Sequence, residues 1–209
     1  MLIPVETLTA FFLASILLAL VPGPDNIFVL AQSAVHGRSA GLIVTLGLCT
    51  GLIVHTTAVA LGVAAIFQAS AAAFTTLKLI GAGYLLYLAW KAFQSAARKF
   101  HTDRSTDLRN SQLYVRGIVM NITNPKVSIF FLAFLPQFAD PARNSLTVQL
   151  MVLGGTFIVA TLIVFGGIAL LAGTLGVWLN HSVHAQRRIN QVAGTVFVVL
   201  ALKLAMTSK

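Results

Sequence analysis

The sequence predicts an all-α membrane protein: six transmembrane helices in a 3+3 inverted repeat, with helices 1 and 4 broken in mid-span. Three observations carry this. Of the 209 residues, 57% are hydrophobic and only 9% charged, with a mean hydropathy of +0.89, whereas a water-facing domain carries about 25% charged residues. Apolar runs of about 20 residues, long enough to cross a bilayer, recur along the whole length. Two helix-breaking clusters, Pro22-Gly23-Pro24-Asp25-Asn26 and Asn124-Pro125-Lys126, interrupt such runs roughly half a chain apart. Paired interruptions at corresponding positions point to a midplane substrate site in a transporter built from repeats.

The expected spans are 5–34, broken at Pro22 and Pro24; 40–67; 71–93; 113–138, broken at Asn124-Pro125; 146–171; and 189–205. The only long hydrophilic stretch, 94–112, contains His101, Asp103, Arg104, Asp107 and Arg109 and divides the chain. Residues 1–209 thus form one transmembrane domain, with repeats at 1–97 and 113–209 and a cytoplasmic connector at 98–112. Three spans per half force the second half to insert upside down. Residues 173–188, with Trp178, Asn180, His181, His184, Arg187 and Arg188, suit an interfacial turn.

The net charge of +9 invites a nucleic-acid reading, but the basic residues are not interleaved with aromatics as on single-strand-binding surfaces. Arg38, then Arg98, Lys99, Arg104 and Arg109, then Arg187 and Arg188 fall in connectors after spans one, three and five. Short cytoplasmic loops retain Lys and Arg, so both termini are expected outside. Lys203 and Lys209 pull mildly the other way. Cys49 is the only cysteine, which excludes an intrachain disulfide. Residues 10–21 resemble a signal h-region but lack a basic n-region and a small-x-small cleavage site, so they are expected to stay as the first helix.

Chemistry concentrates at the breaks. Pro22 and Pro24 free backbone carbonyls that lipid cannot satisfy. Pro24 suits the first position of a new helix, with Asp25 and Asn26 in its opening turn, where free N–H groups favour a carboxylate. Asp25 is the main acid within the spans; an ionised group at that depth costs at least about 2.5–3.5 kcal/mol and faces a cavity or a partner. It reads as an ammonium ligand or proton-coupling site, or alternatively as a helix cap. Asn124 suits an N-cap, Pro125 the first helical position, and Lys126 follows where a cation is unfavourable unless compensated. Asp25 or a substrate carboxylate would compensate it; the alternative is a lysine snorkelling to the interface.

Asn121 lies one turn before Asn124, and Gln32 extends the face that begins at Asp25. With Gly23, Asn26 and the charged pair they complete the candidate substrate-binding set: Gly23, Asp25, Asn26, Gln32, Asn121, Asn124 and Lys126. His55, inside span two, suits an interhelical hydrogen bond, and Gly47-Leu48-Cys49-Thr50-Gly51 suits close helix packing that would permit a homodimer. Phe130, Phe131, Phe134 and Phe138 suit core or lipid packing more than an aromatic cage. No HExxH, GxSxG or P-loop is present, so neither an enzyme nor a cofactor or metal site is expected. Two glycosylation sequons, at Asn121 and Asn180, are read as chance.

Val21-Pro22-Gly23-Pro24-Asp25-Asn26, Val29-Leu30 and Gly37-Arg38-Ser39-Ala40-Gly41 together resemble the amino-terminal signature of the lysine exporter (LysE) superfamily, in its homoserine/threonine resistance (RhtB) branch. Gly117, Asn121, Asn124-Pro125-Lys126 and the run Phe130 to Phe138 resemble that branch's second-half signature, and Gly81 to Trp90 its third span. The resemblance covers essentially the whole chain. It implies proton-coupled export, by an antiporter-like mechanism, of an amino acid or close derivative (homoserine-, threonine- or leucine-like) across the bacterial inner membrane. The same motif residues mark Asp25, Asn26, Asn124 and Lys126 as site candidates. The partners implied are the amino-acid substrate, the proton gradient and membrane lipid. Two alternatives stand beside this: a cation exporter of the same superfamily, and a membrane assembly subunit that transports nothing.

Overall fold

The computed structural model describes residues 2–69, 71–95, 108–143 and 145–206, with side-chain detail except at 63–69, 71, 73–74, 174–181 and 183. His101, Asp103, Arg104 and Asp107 of the expected connector lie outside these residues, as do Arg98 and Lys99. The described residues are helical apart from short links. In order they form α1 (Val5–Leu20), α2 (Pro24–His36), α3 (Arg38–Ala69), α4 (Ala71–Gln94), α5 (Asn110–Ile122), α6 (Pro125–Ile129), α7 (Leu146–His181) and α8 (Val183–Met206).

Proline chemistry sets the first bend. α1 stops at Val21, which is extended because Pro22 follows it. Gly23 is also extended, and Pro24 opens α2 as its first residue. The two helices meet at 63°. α2 then ends at Gly37, whose φ of 87° lies in the left-handed region where only glycine is unstrained, and α3 starts at the next residue.

The second bend is built differently. α5 runs to Ile122, and the Asn124 side chain accepts the Lys126 backbone N–H as an N-cap, with Pro125 at the first helical position. The break turns the chain by 49°. α6 continues without interruption into a π-helical turn, Phe130–Phe134, and a 3-10 turn, Leu135–Phe138. Pro136 explains the change: it has no N–H for the carbonyl four residues back. The chain loosens before it, with the Leu135 N–H reaching the Phe130 carbonyl.

Three helical stretches are long and apolar enough to cross a membrane unaided: Arg38–Gly62, Leu146–Gly173 and His184–Met206. Counting each bent pair as one span brings the number to five. α4, 24 residues long, packs along α8. One expectation is corrected. Residues 173–188 form no interfacial turn: α7 continues to His181, and only Ser182 separates it from α8. Nothing in that stretch breaks a helix as proline does, and the Ser182 hydroxyl caps α8 by accepting the Ala185 N–H at 3.1 Å.

α3 is the hub, packed on α2, α5 and α7. Its crossing with α5 is nearly backbone to backbone: a Cβ on Gly47 would collide with the Tyr114 carbonyl, and one on Gly117 would lie 2.5 Å from the Val44 carbonyl. The larger core is aromatic. Phe11, Phe130, Phe131 and Phe134 are wholly buried, with Phe130 and Phe134 centroids 4.8 Å apart and Phe131 edge-on to Phe157 at 5.1 Å. The expected phenylalanine run is therefore core. Leu13, Leu61, Leu79 and Ile163 are over half exposed, as side chains facing lipid tails would be.

Candidate functional site

The two breaks meet. The Asn124 amide donates to Asp25 Oδ2 at 2.7 Å, while its oxygen accepts the Lys126 N–H at 3.0 Å. One side chain thus caps the second half-helix and holds the acid of the first. The geometry follows from two local rules: proline stands as first residue of both half-helices, and asparagine caps the second, the first being preceded by Gly23.

Lys126 is buried, and its ammonium donates to the carbonyls of Val21 at 3.1 Å and Leu18 at 3.5 Å. The second distance is at the outer limit for a hydrogen bond. In an uninterrupted helix, the Leu18 carbonyl would accept from residue 22, but Pro22 has no N–H to give. The next carbonyl, of Ala19, is taken by the Asn26 amide at 2.7 Å. The cation therefore sits at the carbonyl-rich, dipole-negative end of α1. The hydrogen bonds of the Lys126 ammonium go to backbone carbonyls at the break, with the Asp25 carboxylate expected from the sequence close by on the other side of Asn124. Asp25 is linked to Lys126 through Asn124 rather than by direct contact.

A small cavity opens between these groups. Its walls include Asp25, Asn121 and Lys126, together with Leu18, Ala19, Leu48, Val127, Phe157, Thr161 and Phe165. About 20 Å³ is open to the centre of a water molecule, room for one water and not for an amino acid. Three buried polar atoms on its walls have no hydrogen-bond partner: Asp25 Oδ1, Asn121 Oδ1 and Thr161 Oγ1. Such atoms each cost about 1–3 kcal/mol when left unpaired, and here all three belong to residues lining one hollow.

The other sequence candidates sit around rather than within it. Asn26 ties α2 back to α1 through Ala19. Gly23 keeps space for the lysine, since a Cβ there would come within 3.2 Å of the Lys126 ammonium. Gln32 is buried two turns further along α2, beside His36 at 3.1 Å, away from the cavity. His55 does bridge helices, donating Nε2–H to the Asn121 carbonyl at 3.2 Å. Sequence reasoning missed Thr161, Phe157 and Phe165, because α7 carries no break to mark them. A hydroxyl and two large rings within one long apolar span were the only available sign.

Long apolar helices and two bent helix pairs packed in one bundle define a multi-pass helical membrane protein. The chain belongs to the LysE type translocator family, which it matches over residues 16–208. It is 35% identical over 197 residues to a homoserine/homoserine lactone efflux protein of Salmonella typhimurium, covering 94% of each chain. It is 33% identical over 196 residues to a membrane protein of Vibrio cholerae of unassigned function, covering 94% of this chain and 95% of that one. To a leucine efflux protein of Salmonella choleraesuis it is 26% identical over 200 residues, 93% of this chain and 92% of the other. No solved structure matches it. The expected family is thereby established, and with it a transporter rather than an enzyme.

Proposed function

We propose that the protein exports an amino acid or close derivative, of the homoserine, threonine or leucine type, across the bacterial inner membrane in exchange for protons. The observation that carries this is the Asp25–Asn124 hydrogen bond, which joins the two proline breaks beside one small hollow. The substrate ammonium pairs with the free Oδ1 of Asp25, and its carboxylate with Lys126. The polar groups available are one carboxylate, one ammonium, an amide and a hydroxyl. That set complements a zwitterion and lacks the several hard or imidazole donors a metal cation requires. The names of the efflux relatives support the same reading.

Because the hollow has room for about one water, loading an amino acid requires the bends at Pro22–Pro24 and Asn124–Pro125 to change angle, opening it to one face at a time. Protonation of Asp25 releases the ammonium and links outward export to inward proton movement. We read the bundle as six spans in two inverted repeats, 1–97 and 113–209, joined by a cytoplasmic connector at 98–112, with both termini outside. Support comes from each half opening with a bent pair, and from the counterpart helices α3 with α7 and α4 with α8 packing on each other, as elements near a pseudo-two-fold axis do.

The test is transport in proteoliposomes under an imposed pH gradient. Asp25→Asn is expected to abolish gradient-driven accumulation of homoserine, threonine or leucine. Full gradient-driven export by that variant refutes the coupling role.

A further inference from the structure

The buried serines and threonines among the described residues are Ser15, Ser33, Thr45, Thr56 and Thr161. The first four donate their hydroxyls to the carbonyl four residues back, at 2.7–2.8 Å. That is the usual refuge of a helical hydroxyl in apolar surroundings. Thr161 does not use it. Its Oγ1 is buried without a partner on the wall of the hollow, although the Phe157 carbonyl lies in the position its counterparts exploit. Asn121, on α5, lines the same hollow, and its Oδ1 is also buried without a partner. Leu48, Phe157 and Phe165 supply apolar surface beside them.

We propose that Thr161, together with Asn121, reads the side chain of the exported amino acid and selects one that carries a hydroxyl group. This rests on the amino-acid export reading above and names the substrate class of that site. Asp25 and Lys126 engage the ammonium and carboxylate that every amino acid has, so they do not discriminate among side chains. A substrate hydroxyl donates to Asn121 Oδ1 and accepts from Thr161 Oγ1, satisfying both orphaned atoms with one group. A methyl in its place leaves both unpaired inside an apolar wall. Sites built to hydrogen-bond a hydroxyl reject the analogue lacking it far better than an apolar pocket rejects an added hydroxyl.

The experiment compares initial export rates from proteoliposomes for two near-isosteric pairs, homoserine against norvaline and threonine against valine, with leucine as a further apolar substrate. Wild type is expected to favour the hydroxylated member of at least one pair by about ten-fold or more. Thr161→Val, which preserves shape, is expected to bring that ratio close to one, and Thr161→Ser to keep it. Asp25→Asn is expected to slow both members of a pair alike. A wild-type ratio near one, or a ratio that Thr161→Val leaves within about two-fold of wild type, overturns this inference while leaving export intact. If wild type exports none of the five compounds, the export reading and this inference fall together.

Discussion

Removing the Asn124 side chain separates the two halves of the candidate site in a way that can be measured. Asn124→Ala deletes two bonds at once: the cap on Lys126 and the 2.7 Å donation to Asp25. A lost N-cap costs about 1 kcal/mol. A lost bond to a buried charged group costs about 1.5–3 kcal/mol. The expected destabilisation is therefore about 3 kcal/mol, read by reversible unfolding in mixed micelles. Asn124→Ser keeps a capping oxygen but is too short to reach the acid, so it should lose only the larger part, about 2 kcal/mol. In an Asp25→Asn background the charged bond has already gone, and Asn124→Ala should then cost little more than the cap. The coupling between the two sites should exceed about 1 kcal/mol. Additivity within about 0.5 kcal/mol, the behaviour of independent sites, would refute the claim that Asn124 holds Asp25 across the two breaks.

Lys126→Met preserves the length of the side chain but strips the Val21 and Leu18 carbonyls of their donor; export is expected to fall at least about ten-fold, and export at the wild-type rate with normal protein levels would rule out a role for the ammonium. Gly47→Leu drives a side chain into the Tyr114 carbonyl where α3 crosses α5, so detergent-extracted protein is expected to aggregate on size-exclusion chromatography, whereas Leu61→Ala, at a lipid-facing position, should elute normally.

The parts of the fold legible in the sequence were those governed by local rules. Proline at 22, 24 and 125 announces both bends, because a missing N–H and a fixed φ act whatever the surroundings. Asn124 announces its own cap, and Gly47 and Gly51 a close crossing. What stayed hidden depends on how helices turn about their axes relative to one another. Thr161 is an ordinary hydroxyl in an unbroken helix until α7 is rotated against α3 and α5, and only then does it stand on the same wall as Asp25. Gln32 shares a helical face with the acid in sequence, yet it lies two turns further along α2, beyond the residues that line the hollow. Residues 173–188 read as a turn because arginines, histidines and a tryptophan imitate an interface. Polar composition does not end a helix; a capping serine does. The carbonyls that hydrogen-bond Lys126 were hidden for a related reason, since carboxylates such as Asp25 stand out in a sequence and the backbone acceptors at a helix break do not.

The size of the hollow bears on what the protein does when no cargo is present. Proton hopping needs an unbroken file of hydrogen-bonded waters, and a hollow with room for about one water supplies a single link of such a file. On the export reading proposed above, a protein in this conformation offers no continuous water path through that hollow, and a membrane can hold it at rest without leaking its proton gradient there.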